Sequence, residues 1–137
     1  MRCLGVDLGG RRVGLAVGDE ETGVATPLEV VPYPGVQATA AMVAEVARRH
    51  GAQRVVIGLP TRADGGETPA CRRSRAVADA LAGLGLEVTL QAEFLTTDEA
   101  RRRARDTGLP SGRPVDHLAA QVILEEHLES AGRRSRV

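Results

Sequence analysis

Three carboxylates in this 137-residue chain occupy positions where an acid needs an explanation. Asp7 sits inside the apolar run Arg2-Cys-Leu-Gly-Val-Asp-Leu8. A buried carboxylate is costly unless it pairs with a cation or ligates a metal, and Arg11 and Arg12 are close enough in the chain to form a plain ion pair. Glu93 falls at the carboxyl end of a late strand, where ligand sites gather in open α/β sheets. It also simply continues the polar face begun by Glu87, Thr89 and Gln91. Asp116 belongs to the first turn of the last helix, where a carboxylate offsets the unpaired N–H groups. Ala119, Ala120 and Ile123 follow it at three, four and seven residues, so it also projects along an apolar stripe. Were the three acids to meet at one sheet edge, their all-oxygen set would suit Mg²⁺ or Mn²⁺. Two such ions about 4 Å apart activate water and stabilise the leaving oxygen of a phosphodiester.

No other constellation competes at the level of spacing. His50, His117 and His127 lack zinc-ligand spacing and read as helix caps or surface decoration. Cys3 and Cys71 show no metal-ligand pattern and are too few for a disulfide framework, which fits a reducing cytoplasm. Cys71 lies beside Arg72 and Arg73 but reads as an inert helix cysteine, and Ser74 and Ser111 have no positioned base.

The elements that must position the acids follow from periodicity. Residues 2–8 and 12–18 read as a hairpin turning at Gly9-Gly10-Arg11. Leu4, Val6 and Leu8 share one face with Val13, Leu15 and Val17. The opposite face carries Cys3, Gly5 and Asp7 beside Gly14, Ala16 and Gly18, so Asp7 stands on a floor of very small side chains that a helix or ligand can approach. Residues 24–31 read as a third strand, at a sheet edge because of Pro27. A helix spans Val36 to His50 and stops at Gly51. Arg54 to Gly58 reads as a strand buried on both faces, its end Gly58-Leu59-Pro60 opening a polar loop through Gly65-Gly66. Thr68-Pro69 starts a helix that lasts to about Gly83, and Leu86 to Gln91 is a further alternating strand. Thr96 to Glu99 has capping-box spacing and opens a short helix ending at Gly108, followed by a turn-rich stretch to Pro114. The last helix runs from about Val115 to Ser130. The order predicts an α/β domain over residues 1–131, a mixed sheet with helices on its faces, and a disordered basic tail over 132–137.

Composition narrows the function. No apolar run is long enough to span a membrane, and the N-terminus lacks a secretory pattern. The formal charge is zero, so nucleic-acid binding has to use a local patch. All 18 basic residues are Arg, whose planar fork suits phosphate. The best phosphate candidates flank the acids: Arg11 and Arg12 at the hairpin, Arg62 in the 59–66 loop, and Arg113 before Asp116. Arg101, Arg102, Arg103 and Arg105 read as a solvated helix face. Tyr33 and Phe94 are the only aromatics, which excludes a base-stacking platform.

With these residues in view, the chain resembles the bacterial pre-16S rRNA nuclease family, also described as Holliday junction resolvase-like, within the RNase H-like superfamily. The resemblance covers residues 2–130. It rests on Leu4-Gly-Val-Asp7-Leu-Gly-Gly-Arg-Arg-Val-Gly-Leu-Ala-Val17, Val56-Ile-Gly-Leu-Pro60 with Asp64-Gly65, Glu93 with Leu95-Thr-Thr97, and Val115-Asp116-His-Leu-Ala-Ala120. It implies a five-stranded mixed sheet of order 3-2-1-4-5, a metal-dependent nuclease with Asp7, Glu93 and Asp116 as its acidic triad, and trimming of the 5′ end of precursor 16S rRNA in the cytoplasm. The chain departs from the family's usual Asp-Glu-Arg by reading Ala92-Glu93-Phe94, which removes a flanking acid and a flanking cation. Ala119 stands where related junction resolvases carry a further metal-site residue.

Precursor rRNA, in or near ribosomal particles, is thus the expected partner. Branched DNA is the alternative and would require a homodimer with two symmetric active sites. Two further classes are an RNA-binding ribosome-assembly factor that does not cut, and a nucleotide-binding kinase-like module suggested by Asp7-Leu-Gly-Gly. The second needs two lobes and more than twice this length.

Overall fold

The computed structural model describes residues 1–9, 11–62, 66, 68–95 and 116–135, with side chains of 61, 62, 93–95, 116–118 and 131–135 set aside. Five strands, β1 (Arg2–Leu8), β2 (Arg12–Asp19), β3 (Ala25–Pro32), β4 (Arg54–Arg62) and β5 (Glu87–Leu95), form one sheet of order β3-β2-β1-β4-β5. β1 pairs antiparallel with β2 and parallel with β4, and β4 pairs parallel with β5. The sheet is therefore the mixed 3-2-1-4-5 arrangement that the family resemblance implies.

Alternation along β1 and β2 divides the core into two layers. Leu4, Val6, Leu8, Val13 and Leu15 face helices α1 (Val36–Arg49) and α2 (Pro69–Gly83), with Val43, Val46, Val77 and Leu81 fully or almost fully buried against them. Cys3, Ala16 and Val56 face α3 (Asp116–Ser135), which buries Ala120, Ile123, Leu124 and Leu128. Each large aliphatic side chain sealed in this way contributes about 1.5–3 kcal/mol.

Local chemistry sets the element ends. Thr68 Oγ1 accepts from the Cys71 N–H at 3.3 Å and donates to the Pro60 carbonyl at 2.9 Å, while Pro69 supplies the first helical residue. Gly51, at φ 66°, ends α1 in the left-handed region that a side chain would disfavour. β3 is an edge strand, and its register with β2 slips between Leu15↔Glu29 and Ala16↔Pro27, leaving Leu28 as an extra residue beside the proline.

Three boundaries differ from the sequence reading. β4 runs through Pro60 to Arg62 instead of opening a loop at Gly58-Leu59-Pro60. The ladder with β1 ends at Val6↔Ile57, so the absent N–H of Pro60 breaks no bond of that ladder. The Pro60 carbonyl is taken instead by Thr68 Oγ1 and by Cys71 Sγ, the latter at 3.0 Å. β5 reaches Leu95 because β4 is long enough to pair with it as far as Arg62↔Leu95. α3 continues to Ser135, so four residues read as disordered tail, 132–135, belong to its last turns. Arginine, the residue type at 133 and 134, has high intrinsic helix propensity. The expected short helix of 96–108 and residues 136–137 lie outside the described residues. Among the described residues, no helix is long and apolar enough to cross a membrane.

The α3 layer leaves no room at β1. A Cβ built on Gly5 would lie 2.9 Å from the Ala120 carbonyl oxygen and 3.0 Å from Leu124 Cβ. Gly5→Ala is expected to lower stability by about 1–3 kcal/mol as α3 backs off the sheet. Gly83→Ala, where a Cβ meets nothing within 4 Å, should leave stability unchanged or raise it. Thermal denaturation of the two variants checks both outcomes.

Candidate active site

Asp7 is one of few buried charged residues, 3% exposed on the penultimate position of β1 and on the face that α3 covers. Its burial follows from the small neighbours on that face and from the helix that they admit.

The register locates the other two acids relative to it. Val6 lies beside Ile57, so Asp7 stands one step further along, level with Gly58. Gly58 is beside Gln91, and Pro60 is beside Glu93. Glu93 is thus two strands across and two residues further toward the carboxyl edge. It occupies the same face, because the offset from Gln91 is even. Two strand spacings of ~4.8 Å and two residues of ~3.3 Å separate the α-carbons of Asp7 and Glu93 by roughly 12 Å.

The direction of α3 locates Asp116. Gly5 meets Ala120 and Leu124, whereas Gly18, the register partner of Cys3, meets Leu124 and Leu128. α3 therefore runs antiparallel to β1, its amino end toward the carboxyl end of the strand. Asp116 precedes Ala120 by one turn, about 6 Å, and Asp7 follows Gly5 by two strand residues, about 6.6 Å. Because Gly5 meets Leu124 as closely as Ala120, residue 116 lies within about one helical turn of the level of Asp7. All three acidic positions thus share one face at the carboxyl edge of β1, β4 and β5, with the positive end of the α3 dipole beside them.

The arginines divide. Arg11 is exposed in the turn after β1, and Arg12 is half-buried at the start of β2. Arg62 ends β4 at the same edge, opposite Leu95. Its side chain, those of Glu93 and Asp116, and the whole of Arg113 lie outside the described residues. Arg73, counted in the sequence only as one of several helix cations, reaches from α2 to donate to the Gly9 carbonyl at 2.8 Å and stacks 5.0 Å from the Tyr33 ring. It pins the turn that follows Asp7. No spacing rule links residues 73, 9 and 33, so this contact had no signal in the sequence.

Carboxylates at these three positions are of the ligand type that suits a hard divalent cation, and Asp7 among them is deeply buried. The family model described as "RuvX: Holliday junction resolvase" matches residues 1–130. The chain belongs to the RuvX family.

Curated RuvX relatives agree over the whole length. The "Putative pre-16S rRNA nuclease" of Pelotomaculum thermopropionicum is 36% identical, covering 99% of this chain and 92% of its own. The protein of the same description from Anaeromyxobacter dehalogenans is 43% identical over 94% of this chain and 97% of its own. Among solved structures, RuvC of T. thermophilus, determined with a Holliday junction substrate, superposes with a TM-score of 0.58 at 19% identity, covering 96% of this chain and 95% of that one. That likeness establishes the RNase H-like resolvase fold, and the relatives make this RuvX chain a member of a nuclease family.

A second polar group in this RuvX chain was not foreseen. At the opposite end of β1, Glu20 Oε1 accepts from Arg54 at 2.6 Å and from the Cys3 thiol at 3.5 Å, and lies 3.0 Å from His127 Nε2. His127 is 3% exposed, not a surface decoration. The α3 stripe that begins at Asp116 and Ala120 continues to 127, and that extension of the period was the available signal. Burial raises the Cys3 thiol to about 12, reinforced by the neighbouring Glu20 charge. Burial would also raise the Glu20 carboxyl, but the hydrogen bonds with His127 and Cys3 and the Arg54 charge outweigh it and hold it below the usual carboxylate range.

A carboxyl depressed in the folded state adds stability above its unfolded value, and that stability is lost as pH falls through the folded value. In chelator-treated protein, the stability gap between wild type and Glu20→Gln should be widest above about pH 5 and close as the pH falls below the ordinary carboxylate range, through the depressed folded value. Urea denaturation as a function of pH measures it.

Proposed function

We propose that this RuvX protein is a metal-dependent nuclease that hydrolyses phosphodiester bonds in cytoplasmic 5′-end maturation of precursor 16S rRNA. The reading is carried by the buried Asp7 carboxylate at the carboxyl end of the central strand, with residues 93 and 116 at the same edge. The curated relatives' description supplies the substrate class.

Asp7, Glu93 and Asp116 would together hold Mg²⁺ or Mn²⁺. Bound there, the cation supplies a water nucleophile at neutral pH and charge neutralisation for the leaving oxygen. Asp7, on a strand paired on both sides, fixes the position of the group; Glu93 and Asp116 complete the oxygen set from the neighbouring elements. Arg11, Arg12, Arg62 and Arg113 hold the flanking phosphates as planar forks. Arg73, through the Gly9 carbonyl, keeps the turn after Asp7 in place.

Branched DNA remains the second substrate, favoured by the family model's description. It would require a homodimer. A labelled precursor rRNA fragment and a four-way DNA junction are incubated separately with the protein in Mg²⁺, Mn²⁺ or EDTA. Cutting of the RNA, abolished by EDTA and reduced at least ~100-fold (about 2.7 kcal/mol of barrier) in Asp7→Asn and Asp116→Asn, is expected. Circular dichroism should show both variants folded. Preferred cutting of the junction by a dimer would transfer the function to branched DNA. RNA binding with no cleavage by any form would make the protein an assembly factor that uses a nuclease fold as a binding surface.

A further inference from the structure

The group at the amino end of β1 has the composition and spacing of a cation site. Cys3 lies on β1, Glu20 directly follows β2, and His127 lies on α3. One ligand atom from each falls within 4.8 Å of the other two, with Sγ to Oε1 at 3.5 Å and Nε2 to Oε1 at 3.0 Å. Tetrahedral zinc, with bonds of about 2.3 Å to sulfur and 2.0–2.2 Å to nitrogen and oxygen, sets its ligand atoms roughly 3.3–3.7 Å apart. The sulfur–oxygen separation falls within that range, and the nitrogen–oxygen separation lies about 0.3 Å below it. Cys3 is wholly buried and His127 nearly so, whereas the Glu20 side chain is 20% exposed. The group therefore opens to solvent on one side, which leaves a path for an ion and room for a water as fourth ligand.

The surrounding charges favour a dication. Arg54 bridges Glu20 at 2.6 Å and Glu87 at 3.2 Å. With the thiol protonated, the carboxylates of Glu20 and Glu87 face the one guanidinium of Arg54, an excess of one negative charge among these groups. A dication that displaces the thiol proton to solvent adds one net positive charge and brings the group to neutrality. Arg54 donates to the same Glu20 Oε1 that faces Cys3 and His127, so it would share that oxygen with the ion as the outer partner that orients a ligating carboxylate.

We propose that Cys3, Glu20 and His127 form a zinc-class cation site that staples α3 to the β1–β2 hairpin. Thiolate, imidazole and carboxylate together suit Zn²⁺ or Co²⁺, not Mg²⁺, so the site is chemically as well as spatially separate from the acids at the other end of the strand. On binding, the S–H bond of Cys3 breaks, a sulfur–metal bond forms and one proton is released, with no change of oxidation state. Since α3 carries Asp116 at its opposite end, the ion would fix the helix that bears one of the proposed catalytic acids.

The full chain, stripped with chelator, is titrated with Co²⁺ as the spectroscopic stand-in and then with Zn²⁺. One Co²⁺ per chain with a thiolate-to-metal charge-transfer band is expected, displaced by Zn²⁺ and untouched by excess Mg²⁺, and Zn²⁺ should raise the melting temperature. The band should vanish in Cys3→Ser and persist in Cys71→Ser. It should also persist in Asp116→Asn, so this result is independent of the nuclease reading. In His127→Gln the affinity should fall by more than the ~10–100-fold typical of an outer partner. No band in the wild-type chain, a band surviving Cys3→Ser, or unchanged affinity in folded His127→Gln would each overturn the proposal. The wild-type titration decides even where a variant fails to fold.

Discussion

The contact of Gly5 with the Ala120 backbone is the constraint on which the rest of the structure depends. With no Cβ on one side and a methyl on the other, α3 lies on β1 so closely that added bulk would meet the helix carbonyl at 2.9 Å. Helix and strand are thereby locked in one register, antiparallel, and two polar groups are fixed at once. Toward the carboxyl edge the register brings residue 116 within about one helical turn of Asp7. Toward the amino edge it brings His127 onto Glu20 and Cys3. A shift of the helix by one turn would undo both.

The two ends of β1 use burial differently. At the carboxyl edge Asp7 is a buried carboxylate, an oxygen ligand of the kind hard cations take. At the amino edge the same small-residue face holds a mixed sulfur, nitrogen and oxygen set beside a guanidinium that links two carboxylates. As proposed, the first arrangement would take a solvated, exchangeable ion next to a substrate phosphate. The second suits a more tightly held ion whose work is mechanical. Both draw on the same helix, so the stability of α3 on the sheet and the geometry of the proposed active site are one problem.

Much of this was legible in the sequence because period and residue size are local properties. The two-residue alternation of Leu4, Val6 and Leu8 assigned one face of β1, and the glycines and Asp7 assigned the other, before any strand order was known. Pro27 gave the edge, and Thr68-Pro69 gave the start of α2. Pro60 misled for a physical reason: a proline ends a strand only where its N–H would be needed, and whether β1 still flanks β4 at that point is a matter of tertiary pairing. The last turns of α3 were hidden in a similar way, because Gly-Arg-Arg-Ser carries no apolar period.

By itself the sequence determined the elements, the small-residue face, the acids worth weighing and the absence of a stacking platform, since all of these follow from residue type and spacing along one chain. Only the tertiary structure decided what spacing cannot encode. Arg73 reaches Gly9 across 64 residues, and His127 reaches Glu20 across 107. Contacts at such separations depend on strand order and helix direction, which are set by how whole faces pack and not by any local run of residues.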